Sequence, residues 1–177
     1  MKSILTFVPL AALALLVSLA GCRQPKPEAP AALTAEDVAA VGKAIDSAIE
    51  AFAAEDLERI MSFYAADAVV LEYDRAFRGA EEIREKHMKP EFAEYTISTF
   101  KAADRVVRGR DGLAYVTERD IIEFQDKAGN TFSTDSAQAS FVLEKQPDGA
   151  WKCVQEHWSG PMNWAPRKPE KAAAKKK

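Results

Sequence analysis

Two side chains have the chemistry of proton transfer and a setting that could tune it. Glu72 stands near the end of the run Ala68-Val69-Val70-Leu71-Glu72-Tyr73, whose apolar, β-branched make-up predicts a buried strand. Alternation puts Glu72 on one face with Ala68 and Val70. If that face is the inner one, desolvation raises the carboxyl pKa toward that of a general base. His157 lies in the last predicted strand, Trp151 to Ser159. Strict alternation there sets Trp151, Cys153, Gln155, His157 and Ser159 on one face, and Lys152, Val154, Glu156 and Trp158 on the other. An imidazole in that row can donate, accept or shuttle a proton near neutral pH. Each residue also has a plainer explanation, Glu72 as a solvated strand end beside Asp74 and His157 as a hydrogen-bonded structural residue.

Other chemistry is sparse. His87 is the only other histidine, and no Cys or carboxylate cluster falls at ligand spacing, so neither a metal nor a cofactor is expected. Cys153, at an apolar strand position, is expected to be inert. No Ser-His-Asp pattern, phosphate loop or dinucleotide fingerprint occurs.

The elements that must hold these groups follow from periodicity. Thr34 and Asp37 form a helix start of the capping-box type. Val38, Val41, Ile45, Ile49 and Phe52 then recur at spacings of three and four, the stripe of a buried helix face. Asp56 caps a second helix whose stripe is Leu57, Ile60, Met61 and Tyr64. A third runs from Gly79 to Lys89 and is ended by Pro90, with Ile83 and either His87 or Met88 turned inward. Beyond residue 93 the pattern changes to strands over Tyr95 to Val107, Leu113 to Phe124, Thr131 to Lys145 and Trp151 to Ser159, separated by glycine-containing turns. Helices first and an antiparallel meander after them give an α+β domain, with the helices on one face of a curved sheet.

The chain has 177 residues, 47% of them hydrophobic and 29% charged, with 24 basic against 27 acidic side chains and a net charge of −3. These values suit a single globular domain and argue against nucleic-acid binding. The charge is uneven. Residues 34–166 carry 15 basic and 25 acidic groups, whereas 167–177 carry six basic and one acidic. That tail is expected to be disordered.

At the N-terminus, Lys2 precedes an apolar run, and Leu19-Ala20-Gly21-Cys22 follows. This order resembles the lipobox of bacterial lipoproteins. It implies a signal peptide over 1–21 and diacylglycerol on the Cys22 thiol, with the protein facing the periplasm from a membrane, the outer one being favoured. The three prolines of 22–33 then make a tether, the folded domain occupies 34–160, and 161–177 form the basic tail.

Several segments together resemble the SnoaL-like domains, related to nuclear transport factor 2 and ketosteroid isomerase. They are Ala53-Ala54-Glu55-Asp56-Leu57, Phe63-Tyr64-Ala65-Ala66-Asp67-Ala68-Val69, Arg78-Gly79-Ala80-Glu81-Glu82-Ile83-Arg84 and Gly149 to Ser159. The resemblance implies a cone-shaped, antiparallel or mixed sheet wrapped around the N-terminal helices. It also implies a pocket at the open end and a homodimer through the sheet. It assigns the pocket to Tyr64, Val70, Glu72, Gln155, His157 and Ser159. Steroid isomerisation is disfavoured, because Ala48 and Ala139 stand where the resemblance calls for the tyrosine and the acid that stabilise an enolate, and losing one such donor typically costs about 10²-fold to 10³-fold in rate. Trp158 and Trp164 are expected to pack or to meet a second copy rather than to stack on a ligand.

The expectation is therefore an envelope lipoprotein whose partners are a small, partly apolar ligand held in the cone, the membrane through its anchor, and a second copy. Two alternatives stand beside it. One is an acid–base enzyme of cyclase, isomerase or dehydratase type using Glu72 and His157, and the other is a dimeric interaction module.

Overall fold

The computed structural model describes residues 29–160; the signal segment, Cys22, most of the tether, Trp164 and the basic tail lie outside them. Helix α1 (Ala35–Ala53) begins with the expected capping box. The Thr34 hydroxyl accepts from the Asp37 backbone N–H at 3.1 Å, and the Asp37 carboxylate accepts from the Thr34 N–H at 3.2 Å. The helix buries Val41, Ile45, Ala48 and Ala51, while Val38 in its first turn is exposed. Asp56 caps the short helix α2 (Leu57–Met61) by accepting from the Arg59 N–H. Tyr64, expected on the stripe of this helix, instead opens strand β1 (Tyr64–Glu72).

β1 turns at Tyr73 into the four-residue strand β2 (Arg75–Arg78), which the sequence does not announce because two of its four residues are arginine. Gly79, at φ +80°, turns the chain into a helical stretch, a conformation that a Cβ would strain. The stretch has three parts, namely α3 (Ala80–Glu82), a π-helical turn (Ile83–Met88) and α4 (Lys89–Glu94). Pro90 does not end it, contrary to expectation. The proline sits in the first turn of α4, directly after the π turn. There the wider i→i+5 spacing relieves the contact between its ring and the carbonyl four residues earlier.

Strands β3 (Thr96–Arg110), β4 (Leu113–Gln125), β5 (Thr131–Lys145) and β6 (Trp151–Ser159) form the expected antiparallel meander. β6 also pairs in parallel with β1, which makes one mixed, curved six-stranded sheet in the order β2-β1-β6-β5-β4-β3. On β4 the alternation is strict, with Ala114, Val116, Glu118, Asp120, Ile122 and Phe124 all buried. The main apolar core joins α1 and α2 to β1, β5 and β6, and a second cluster gathers Tyr95, Ile97, Ile122, Phe124 and Ala137. The end of the expected tether belongs to this packing. Ala31 donates to Asp111 at 2.7 Å, Ala32 bridges to Arg110, and Leu33 packs on the core. Among the described residues no helix is long and apolar enough to cross a membrane.

Candidate functional site

Helix α1, the π turn and α4 lie over the inner face of the sheet and leave a cavity between them. About 590 Å³ of it is free of protein atoms when its mouth is included, and about 60 Å³ admits the centre of a water molecule. The interior therefore has room for more than one water. The walls are largely aromatic. Phe52 of α1 meets Phe92 and Phe100 edge-on at 5.3 and 6.4 Å, and Trp158 meets Phe100 and Phe141 at 5.7 and 6.2 Å.

Polar groups converge on one end. Glu72, at the end of β1, is 5% exposed, and burial followed by the Glu91 charge raises its pKa. Its carboxylate pairs through Oε2 with Arg75 across the β1–β2 turn. His87, in the π turn, is 5% exposed, and its ring stacks on Phe77 at 4.6 Å and 14°. Its Nδ1 lies 3.3 Å from Glu91 Oε1 on α4, yet this approach lacks hydrogen-bond geometry. Burial pulls the His87 pKa down, but the carboxylates of Glu91, Glu72 and Glu156 outweigh it and the net shift is upward. Glu156 of β6 accepts from the Tyr64 hydroxyl at 2.6 Å and from the Trp158 indole N–H. Burial nevertheless holds its pKa above the ordinary carboxylate value. Buried Tyr64 and Tyr95 have hydroxyls whose pKa values lie well above 10.

Of the six pocket residues expected from the sequence, Tyr64 and Glu72 line the cavity. Val70 is fully buried on the same face of β1 but belongs to the apolar core. Gln155, His157 and Ser159 are exposed and do not line the cavity. The cause is a bulge. Cys153 pairs with Leu143 and Gln155 with Val142, so Val154 is an extra residue that reverses the alternation of β6. Trp151 and Cys153 point inward before the bulge, and Glu156 and Trp158 do so after it. His157 therefore cannot share a ligand with Glu72 inside the cone. Trp158, expected to serve packing, forms part of the cavity wall.

The sequence carried one sign of this reversal, the adjacent pair Cys153-Val154 breaking the alternation ahead of Trp158. Glu91 was missed for another reason. Pro90 before it reads as a helix end, whereas the helical path continues and brings Glu91, with His87 of the expected helix, to Glu72. Buried Cys153 has a thiol pKa well above its ordinary value because of burial, as suits an inert side chain.

A second polar cluster lies on the inner face of β4. Arg105 reaches from β3 to Glu118, to Asp46 of α1 at 2.7 Å and to the Gly42 carbonyl at 3.2 Å. Asp120 beside it is fully buried, and neither of its oxygens accepts a hydrogen bond. Burial and then the Glu118 charge raise its pKa to about 8.

Residues 41–163 match the family model described as the SnoaL-like domain. Among solved structures, a ketosteroid isomerase-like protein of Erwinia carotovora atroseptica is 21% identical with a TM-score of 0.63, over 72% of this chain and 98% of that one. A nuclear transport factor 2-like superfamily protein of Salmonella enterica serovar Typhimurium is 15% identical with a TM-score of 0.62, over 77% and 94%. A cystatin-like fold of Nostoc punctiforme gives 15% and 0.62 over 74% and 96%. Likeness at these identities speaks for the fold alone. No curated protein matches the chain. The family model matches over most of the chain, and the mixed sheet wrapped on α1 agrees with it, so the protein belongs to the SnoaL-like domain family.

Proposed function

We propose that this SnoaL-like domain binds a small, partly apolar molecule in its cone and is held at the cell envelope by acyl chains on Cys22. The observation that carries the proposal is the division of the cavity, whose aromatic walls from Phe52, Phe100, Phe141 and Trp158 lead to a polar end at Glu72, His87, Glu91 and Glu156. Apolar walls with a few convergent polar groups are the usual make-up of a small-molecule site. The sequence Leu19-Ala20-Gly21-Cys22 supports the anchor. Exposed Val106 and Tyr115 on β3 and β4 support a homodimer through the outer face of the sheet.

The test uses Trp158 as reporter. Titration of the full chain in detergent with single-ring compounds bearing a polar group should give a saturable change in tryptophan emission, and Ala48→Phe, which fills the cavity from α1, should abolish it. Equal responses from the two proteins would refute cavity binding.

A second function is favoured by the nearness of Glu72 and His87, which bring polar atoms within 4.8 Å of each other. Acid–base catalysis on the bound molecule would use these two groups, with His87 in the part expected of His157, because both face one cavity.

A further inference from the structure

We propose that Glu72, His87 and Glu91 form a site for one divalent transition-metal ion at the polar end of the cavity. One ligand atom from each of the three lies within 4.8 Å of the other two. All are withdrawn from solvent, Glu72 and His87 at 5% exposure and the Glu91 side chain at 12%.

The independent sign of a ligand is His87 Nδ1, a buried polar atom without a hydrogen-bond partner. Its 3.3 Å approach to Glu91 Oε1 is not a hydrogen bond, but it is the spacing of two donors to one ion. With metal–donor bonds of about 2.0–2.2 Å, neighbouring tetrahedral ligands stand about 3.4 Å apart, their lone pairs turned to the ion rather than to each other.

The surroundings fit this role. The π turn that holds His87 is a type of helix irregularity frequent at functional sites, and it sets His87 and Glu91 toward the same cavity. Phe77 stacks on the imidazole and fixes its plane. Arg75 engages Oε2 of Glu72, which leaves Oε1 for an ion. Glu156 is committed elsewhere, one oxygen to Tyr64 and the other to Trp158.

Two carboxylates and a neutral imidazole bring a charge of −2, which a dication balances. A mixed nitrogen and oxygen set favours zinc, manganese, iron or nickel over calcium and magnesium, which prefer oxygen alone. Three protein ligands beside an open cavity leave a further position to water or to the polar end of a guest. The site shares the cavity proposed above but does not rest on it, since the ion binds whether or not an organic molecule enters.

The test is equilibrium dialysis of the untagged full chain, stripped with chelator, against Zn(II) alone, with Co(II) absorption as a second readout. The wild type should take up one Zn(II), and bound Co(II) should show visible bands of a low-symmetry site. Glu91→Gln and His87→Gln, each checked for the native circular dichroism spectrum, should weaken binding about 100-fold or more, while Glu144→Gln on the exposed end of β5 should leave it unchanged. Should His87→Gln fail to fold, Glu91→Gln decides alone. The proposal is overturned if the wild type takes up no stoichiometric zinc, if folded Glu91→Gln binds as the wild type does, or if Mg(II) at equal concentration displaces the zinc. Binding of single-ring compounds by chelator-treated protein would leave the cavity proposal standing whatever the metal result.

Discussion

Tyr64 and Glu156, 92 positions apart in the chain, meet inside the cone in a 2.6 Å hydrogen bond between a buried hydroxyl and a buried carboxylate. The contact exists because β1 runs parallel to β6 and because the Val154 bulge turns Glu156 inward. Tyr64→Phe should lower stability by about 1.5–3 kcal/mol, the range for a hydrogen bond to a charged group. Glu156→Gln should cost less, since the amide oxygen can still accept from the Trp158 indole while the amide NH₂ donates to the Tyr64 hydroxyl oxygen, and the buried charge is gone. Urea unfolding midpoints provide the check, and a Tyr64→Phe variant as stable as the wild type would contradict the account.

Asp120 makes stability depend on pH. Its carboxyl titrates from an ordinary value of 3.8 in the unfolded chain and at about 8 in the fold. Between these values the folded state holds the extra proton, so the group's contribution is fully present below pH 4 and is lost as pH rises through 8. Asp120→Asn should remove this dependence. Relative to the wild type, the variant should gain about 3 kcal/mol between pH 4 and pH 8.5, a magnitude set by a shift of several pKa units with allowance for relaxation around the acid. Thermal unfolding of both proteins across that range measures it; parallel pH profiles would count against the buried, protonated acid.

Arg105 holds the same cluster together by pairing with fully buried Glu118 and with Asp46 of α1. Arg105→Met keeps most of the aliphatic stem but leaves two acids on β4 without their cation. Removing one partner of a buried pair typically costs about 3–5 kcal/mol. The variant should unfold at correspondingly lower denaturant, and a loss below about 1 kcal/mol would mean that the pair is solvated.

Cys22 governs location in the proposal. Cys22→Ser should shift the protein from the membrane fraction to the soluble fraction and abolish incorporation of alkyne-labelled palmitate. Labelling that survives the substitution would place the acyl chains elsewhere or remove them from the account.

The fold was legible because its signals are local and repeated. Thr34 and Asp37 mark the start of α1, glycine turns separate the meander strands, and β5 and β6 occupy the ranges expected from alternation. The site was legible only where the period held. Glu72 follows from the unbroken alternation of Ala68, Val70 and Glu72 on β1. His157 does not, because one extra residue at Val154 reverses every side chain beyond it, and a bulge is settled by pairing with β5 rather than by the strand's own residues. Glu91 was hidden by Pro90, whose usual meaning as a stop is cancelled by the π turn before it, and without Glu91 the inward option for His87 had no partner to suggest a site. Asp120 was hidden by composition, since an acid in the middle of a strand reads as solvent-facing until β4 is seen to turn it inward beside Glu118.

The central claim is that the cone holds a small molecule. Native mass spectrometry of the full chain purified from its host in mild detergent tests it most directly. The wild type should carry a discrete additional mass from a small organic compound, lost in Ala48→Phe although that variant keeps its fold. A wild-type spectrum with no such mass, or the same added mass on the filled variant, would contradict it.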